Sequence, residues 1–171
     1  YDNSNSVYDE SDAPFNIVSA AITPPTIPSI VVSLDPTTPA SQNVSAGTVG
    51  VEFARIRVSA GSLAVNNLNN IQVGSDSPNA AKILQNLKVF DGTTQLGSTA
   101  TVLSYNGSYY YAWIPVSGVS IPAFTSKTFR IVADVTTTAS GQARAGITGW
   151  NFSGNGATVI PASTAIYGNM M

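Results

Sequence analysis

The stretch Thr128-Phe-Arg-Ile-Val-Ala-Asp-Val-Thr136 decides the fold class. Phe129, Ile131, Ala133 and Val135 fall on one side of an extended chain, and Thr128, Arg130, Asp134 and Thr136 on the other. An apolar period of two describes a half-buried strand of an antiparallel sheet. Working outward, Tyr109, Tyr111 and Trp113 alternate with Tyr110, Ala112 and Ile114 in an aromatic-rich strand usable on both faces. Leu87 and Val89 alternate with Lys88 and Phe90, and Asp91-Gly92 supplies a turn before the segment 93–102.

Residues 49–59 change parity. Val51 and Phe53 set one phase, and Ala54, Ile56 and Val58 set the other, so a β-bulge near 53–54 is expected to keep both sets on the core. Gly61, Gly74, Gly97, Gly118 and Gly141 each stand where a strand is expected to turn. Short segments at this spacing predict an all-β fold: a single antiparallel β-sandwich of seven to nine strands over about residues 30–171, with almost no helix. Phe53, Ile56, Val58, Leu87, Val89, Ile131 and Val135 are its expected core.

Composition agrees. The chain has 171 residues, the size of one domain, and is 43% hydrophobic, enough for a sizeable core. Charged residues are only 9%, against roughly 25% in an average soluble domain. Its polar surface is therefore built from Ser, Thr and Asn, and two Glu and three Lys leave few residues for surface helices. The net charge of −2 leaves no basic stripe for a nucleic acid. Without His or Cys there is no Ser-His-Asp or Cys-His nucleophile, no disulfide, and no thiolate or imidazole metal site. No apolar run reaches the 18 or so residues of a membrane helix, so direct membrane insertion is not expected.

Three zones divide the chain. Residues 1–20 carry Asp2, Asp9, Glu10 and Asp12 and no Lys or Arg. They read as an extended N-terminal strand segment, either the end of an upstream domain or a strand donated to a neighbour. Residues 21–40 hold five of the ten prolines and read as a Pro-rich linker leading into the first strand. Residues 41–171 are the sandwich. Because the chain opens on Tyr1, it is expected to be processed or excised, and the strand-like 164–171 is expected to run on in the natural polypeptide.

Two resemblances add to this. The stretch Ser6-Val-Tyr-Asp-Glu-Ser-Asp-Ala-Pro-Phe-Asn-Ile17 resembles the closing strand of the KNH-like, Ser/Thr-rich extracellular β-sandwich family, where the pattern S-V-x-D-x-S-D-x-x-F-x-I ends the domain. The body is similar to Ig-like modules of large bacterial surface proteins, through SLDPTTPASQNVSAGTVGVEFARIRVSA (33–60), NLKVFDGTTQLGS (86–98), TSKTFRIVADV (125–135) and YGNMM (167–171). These resemblances imply an Ig-like sandwich with a structural role in stalks, surface layers, adhesins or filaments, and carry over no catalytic residues.

Chemistry has few candidates. Paired carboxylates are the acid–base arrangement left without His. Asp35 and Asp91 precede Pro and Gly and read as turn residues, while Glu52 and Asp134 alternate with core positions and are expected to face solvent. Asp76, Ser77 and Asn79, or Asp9, Glu10 and Asp12, offer oxygens to calcium but lack the alternating ligand pattern with its distal Glu. Lys82, Lys88 and Lys127 sit at solvent-type positions, unsuited to an intramolecular isopeptide bond. Asn43, Asn106 and Asn151 open N-x-S sequons. Tyr105, Tyr109, Tyr110, Tyr111, Trp113, Trp150 and Phe152 are candidates for a sugar-stacking platform or an interface.

The expectation is a non-enzymatic extracellular structural protein at the cell surface, with no cofactor and no metal. It is expected to form a homo-oligomer or polymer, or to adjoin neighbouring Ig-like domains of the same chain. Assembly by strand addition would use Val7, Phe15, Ile17 and Val18. The alternative is a carbohydrate-binding or adhesive surface module with a glycan partner.

Overall fold

The computed structural model describes residues 29–152, 158–160 and 165–171. The N-terminal segment with Val7, Phe15, Ile17 and Val18, the acids Asp9, Glu10 and Asp12, and most of the Pro-rich stretch lie outside these residues. Two sheets face each other across one core. The first has six strands: β1 (Ser29–Leu34), β2 (Val51–Ala60), β4 (Leu84–Asp91), β5 (Thr94–Ala100), β8 (Ser126–Val135) and β10 (Thr158–Ile160), in the order β10-β1-β2-β8-β4-β5. The second has β3 (Val65–Ser75), β6 (Ser104–Tyr105), β7 (Tyr110–Ile121), β9 (Gly146–Phe152) and β11 (Ile166–Tyr167), in the order β11-β9-β3-β7-β6. The described helix is a single turn, α1 (Ala80–Ile83). Every pairing is antiparallel except β1 with β10, which is parallel.

The described residues hold eleven strands rather than seven to nine. The excess is β6, β10 and β11, whose two or three residues are too short to show an alternating pattern. β1 falls inside the stretch 21–40, yet it pairs with β2 from Ile30↔Ala60 to Leu34↔Ile56 and belongs to the sandwich.

The expected core is in place: Phe53, Ile56, Val58, Leu87, Val89, Phe129, Ile131 and Val135 are all buried. The parity change in β2 is a register shift against β8 between Glu52 and Ala54, and it buries both Phe53 and Ala54. β7 has a second such slip. Ile114 and Val116 face the core in one phase and Val119 and Ile121 in the other, with Gly118 between them at φ +83°. Gly118 is thus a bulge residue inside a strand and not a turn. Gly74 lies inside β3 and Gly97 inside β5 for another reason, close backbone approach. A Cβ on Gly97 would sit 1.8 Å from the Pro115 carbonyl oxygen, where the edges of the two sheets meet.

The strands run between two poles. At one, the Gly61 N–H donates to the Ser29 carbonyl at 2.8 Å, and the Phe124 N–H donates to the Gly61 carbonyl at 2.8 Å. At the other, Met171 and Ala143 exchange backbone bonds of 2.9 and 3.1 Å, and the Val135 N–H donates to the Thr48 carbonyl. Ser29 and Met171 therefore mark opposite ends of the sandwich, about 34 Å apart for a ten-residue strand such as β2. Among the described residues no helix is long and apolar enough to cross a membrane.

Phe129→Ala removes a fully buried ring from the middle strand pairings and is expected to cost about 3–5 kcal/mol, read by urea denaturation. Gly97→Ala forces a side chain both onto φ +61° and into the Pro115 carbonyl, and should also lower the midpoint.

Candidate functional site

The aromatic candidates do not form one platform, because they lie on strands whose neighbours point to opposite faces. Gln72 pairs with Trp113, while the adjacent Ile71 pairs with Trp150. Ile71 is in the core, so Trp150 lies on the inner face and Trp113 on the outer face of the five-stranded sheet. Tyr111 pairs with Gly74 on the outer face, and Tyr109 meets its ring edge-on at 6.0 Å. Beneath them, the Gln72 Oε1 accepts from the Tyr109 hydroxyl at 3.2 Å and from the Thr148 hydroxyl at 2.9 Å. Trp113 is 49% exposed beside this buried amide.

Tyr105 and Tyr110 form a separate pair. They are direct partners of the β6–β7 ladder, with ring centroids 4.8 Å apart and planes tilted by 39°. A Tyr109-N–H and a Ser108-N–H bond to Asn106 Oδ1, each 3.0 Å, shape the tight turn that brings the two tyrosines together. The Tyr110 hydroxyl points at the Pro78 carbonyl, 3.5 Å away. A cavity of about 230 Å³ opens here, lined by Asp76, Ser77, Pro78, Tyr105, Ser108 and Tyr110.

Sequence reasoning missed the side chains that organise this end of the sheet. Arg144 holds Asp76 with two parallel bonds, Nε to Oδ1 at 2.8 Å and Nη2 to Oδ2. Its guanidinium carbon also lies 4.9 Å over the Tyr167 ring. The Arg144 hydrogen bonds hold the Asp76 carboxyl below its usual value, against a smaller opposing effect of burial. Burial, with the Asp76 charge adding to it, pushes the Tyr167 hydroxyl up to about 12. The signal for Arg144 was a lone cation among small residues, Gly141-Gln-Ala-Arg-Ala-Gly146. Its partner depends on tertiary pairing and leaves no local trace.

The carboxylates on the six-stranded sheet are also engaged. Asp35 caps its turn, accepting from the Thr37 N–H at 2.9 Å and the Thr37 hydroxyl at 2.6 Å, which together lower its pKa. Glu52 bridges Arg55 and Arg130 at 2.5 and 2.6 Å. Burial opposes its ionisation, but the two arginines outweigh it and hold the carboxyl low. Asp91 receives Lys127 Nζ at 2.5 Å.

Asp134 departs from expectation, since it is 6% exposed and does not face solvent. It accepts from the Gly50 N–H and from the Asn86 amide, each at 2.8 Å, with Lys88 Nζ 3.8 Å away. Lys88, expected in solvent, is thus half-buried beside an acid and an amide. The reason is a register slip in β4 between Gln85 and Lys88, with Asn86 at φ +54°, that brings the Asn86 amide onto Asp134 and covers it on the outer face of the sheet.

The four displaced carboxyls, Asp35, Glu52, Asp76 and Asp134, are all displaced downward. Among the described residues no group of three or more His, Cys, Asp or Glu is arranged to hold a metal ion. Asn43, Asn106 and Asn151 are exposed.

Asp134→Asn should cost about 1–3 kcal/mol at neutral pH, because the Gly50 and Asn86 donors lose a charged acceptor. Burial disfavours the Asp134 anion, but its hydrogen bonds prevail and lower the folded-state pKa below 3.8. The contribution is therefore present above about pH 4 and lost as pH falls through the folded pKa. Urea midpoints of wild type and variant should converge in acid.

No family model and no curated protein matches the chain. Among solved structures it is similar to a family 123 glycoside hydrolase from Clostridium perfringens, studied for glycolipid glycan hydrolysis, at 11% identity and a TM-score of 0.42. The match covers 83% of this chain and spans 26% of that enzyme's length. A likeness this distant leaves function to be argued from the chain's own geometry.

Proposed function

We propose that the chain is a non-enzymatic structural module of an extracellular surface assembly, loaded from pole to pole along its strands. The observation that carries this is the placement of β1 and β10. β1 starts at the Ser29 pole and lies parallel to β10 in the register Ser29↔Thr158, Ile30↔Val159 and Val31↔Ile160. The chain after β10 reaches the opposite pole at Met171. Tension applied at Ser29 and Met171 pulls these parallel strands past each other, so their hydrogen bonds are loaded together and not in succession. β11 and β9, paired at Ile166↔Ile147 and Tyr167↔Gly146, are loaded in the same sense.

The surface supports the same reading. Six of the nine large exposed apolar side chains among the described residues stand near the poles, Leu63 and Phe124 at one and Val49, Val102, Tyr105 and Met170 at the other, while Val31, Leu34 and Trp113 lie along strands. Phe124 is 77% exposed and holds φ +58°, an uncommon conformation for an aromatic residue. Apolar ends join heterologously, the contact that propagates into an open filament. A coat of Ser, Thr and Asn with few charges suits an extracellular protein. Strand donation by residues 1–20 is the route by which such units would be locked together, with Val7, Phe15, Ile17 and Val18 as its apolar side chains.

Electron microscopy of the full chain at rising concentration tests this. Linear end-to-end assemblies are expected, and Phe124→Ser or removal of residues 1–20 should leave a folded monomer that no longer polymerises. A chain that stays monomeric throughout, or assembles equally well after both changes, contradicts the proposal.

A further inference from the structure

We propose that the cavity between the Tyr105–Tyr110 pair and the Asp76–Pro78 turn is a binding site for one neutral pyranose ring. The proposal goes beyond the structural role, since a load-bearing module need not bind sugar. The hollow of about 230 Å³ equals the liquid volume of some seven or eight waters, room for one sugar ring and not for an oligosaccharide. One wall is aromatic: Tyr105 is 59% exposed and backed by Tyr110 at 4.8 Å, a surface that suits the C–H face of a pyranose.

The facing wall is polar and fixed. Arg144 grips Asp76 through Nε and Nη2, so the carboxylate cannot swing away. Each of its oxygens keeps lone-pair capacity for a sugar hydroxyl, and two oxygens side by side match two neighbouring hydroxyls. Ser77 is buried at 2% exposure, and its hydroxyl oxygen accepts from the Arg144 N–H at 3.1 Å, which braces the turn beneath the cavity. The exposed Ser108 hydroxyl and the Pro78 carbonyl complete the lining.

Charge sets the selectivity. Asp76 is the charged residue in the cavity wall, and Arg144, which neutralises it, stands outside the lining. A neutral hexose meets acceptors for its hydroxyls, whereas a uronic or sialic acid brings a second carboxylate against Asp76. The wider hollow of about 540 Å³ around Pro39 to Arg55 has no aromatic side chain in its wall and offers no such stacking surface.

The test is amide chemical-shift titration of the full chain with methyl glycosides of glucose, galactose, mannose and N-acetylglucosamine, alongside glucuronic acid. Saturable shifts centred on Asp76, Ser77, Tyr105 and Ser108 are expected for at least one neutral sugar, with a dissociation constant of about 1–10 mM. Tyr105→Ala should weaken binding by about tenfold or more, while Tyr105→Phe, which keeps the ring, should retain it. Trp113→Ala should leave it unchanged. Absence of saturable shifts with every neutral sugar, equal binding by Tyr105→Ala, shifts centred on Trp113, or glucuronic acid binding as well as the best neutral sugar would each overturn the assignment. Because Tyr105 stands at a pole that end-to-end assembly would use, the titration is run at a chain concentration below that at which assemblies form, where each outcome reads the cavity alone.

Discussion

The packing of Phe53, Ile56, Phe129 and Ile131 from the six-stranded sheet against Leu68, Ile71, Ile114 and Ile121 from the five-stranded one is what the rest of the molecule depends on. Little else is available to stabilise it. The chain has no Cys for a disulfide and only 9% charged residues, and its described ion pairs lie outside the hydrophobic core. Hydrophobic burial on a period of two must therefore be kept along every long strand. Where the chain slips out of phase, a local device restores it: the β2 bulge between Glu52 and Ala54, Gly118 in β7, and the left-handed Asn86 in β4.

Those same devices explain how much could be foreseen from the sequence. Strong alternation in 128–136 and 87–90, and the doubled phase of 51–58, were legible because each residue's face follows from its neighbours. Gly74, Gly97 and Gly118 were misread as turns, because a glycine that marks a close backbone approach or a bulge looks locally like one that marks a turn. The reason lies in a carbonyl on another strand, Tyr110 for Gly74 and Pro115 for Gly97. The burial of Asp134 was hidden for the same reason, since its partners Gly50 and Asn86 are far away in sequence.

The candidate aromatics were legible as a group but not as sites. Strand alternation divides them: Tyr111 and Trp113 stand on the outer face, Trp150 faces inward, and Tyr105 with Tyr110 closes a cavity at one pole. Which tyrosine gains a polar partner is decided on segments distant in the chain, by Gln72 for Tyr109 and by the Pro78 carbonyl for Tyr110. The fold thus separates two capacities. Its long axis carries the chain from pole to pole, while a small polar and aromatic hollow sits at the end of one sheet.

Single-molecule pulling tests the central claim, that the sandwich is built to bear tension along its strands. Handles at Ser29 and Met171 load the β1–β10 pairing in shear, whereas handles at Ser29 and Gly61, both at the same pole, peel β1 from β2 one bond at a time. The account predicts an unfolding force several-fold higher in the first geometry than in the second. Equal forces, or a weaker response along the long axis, would contradict it.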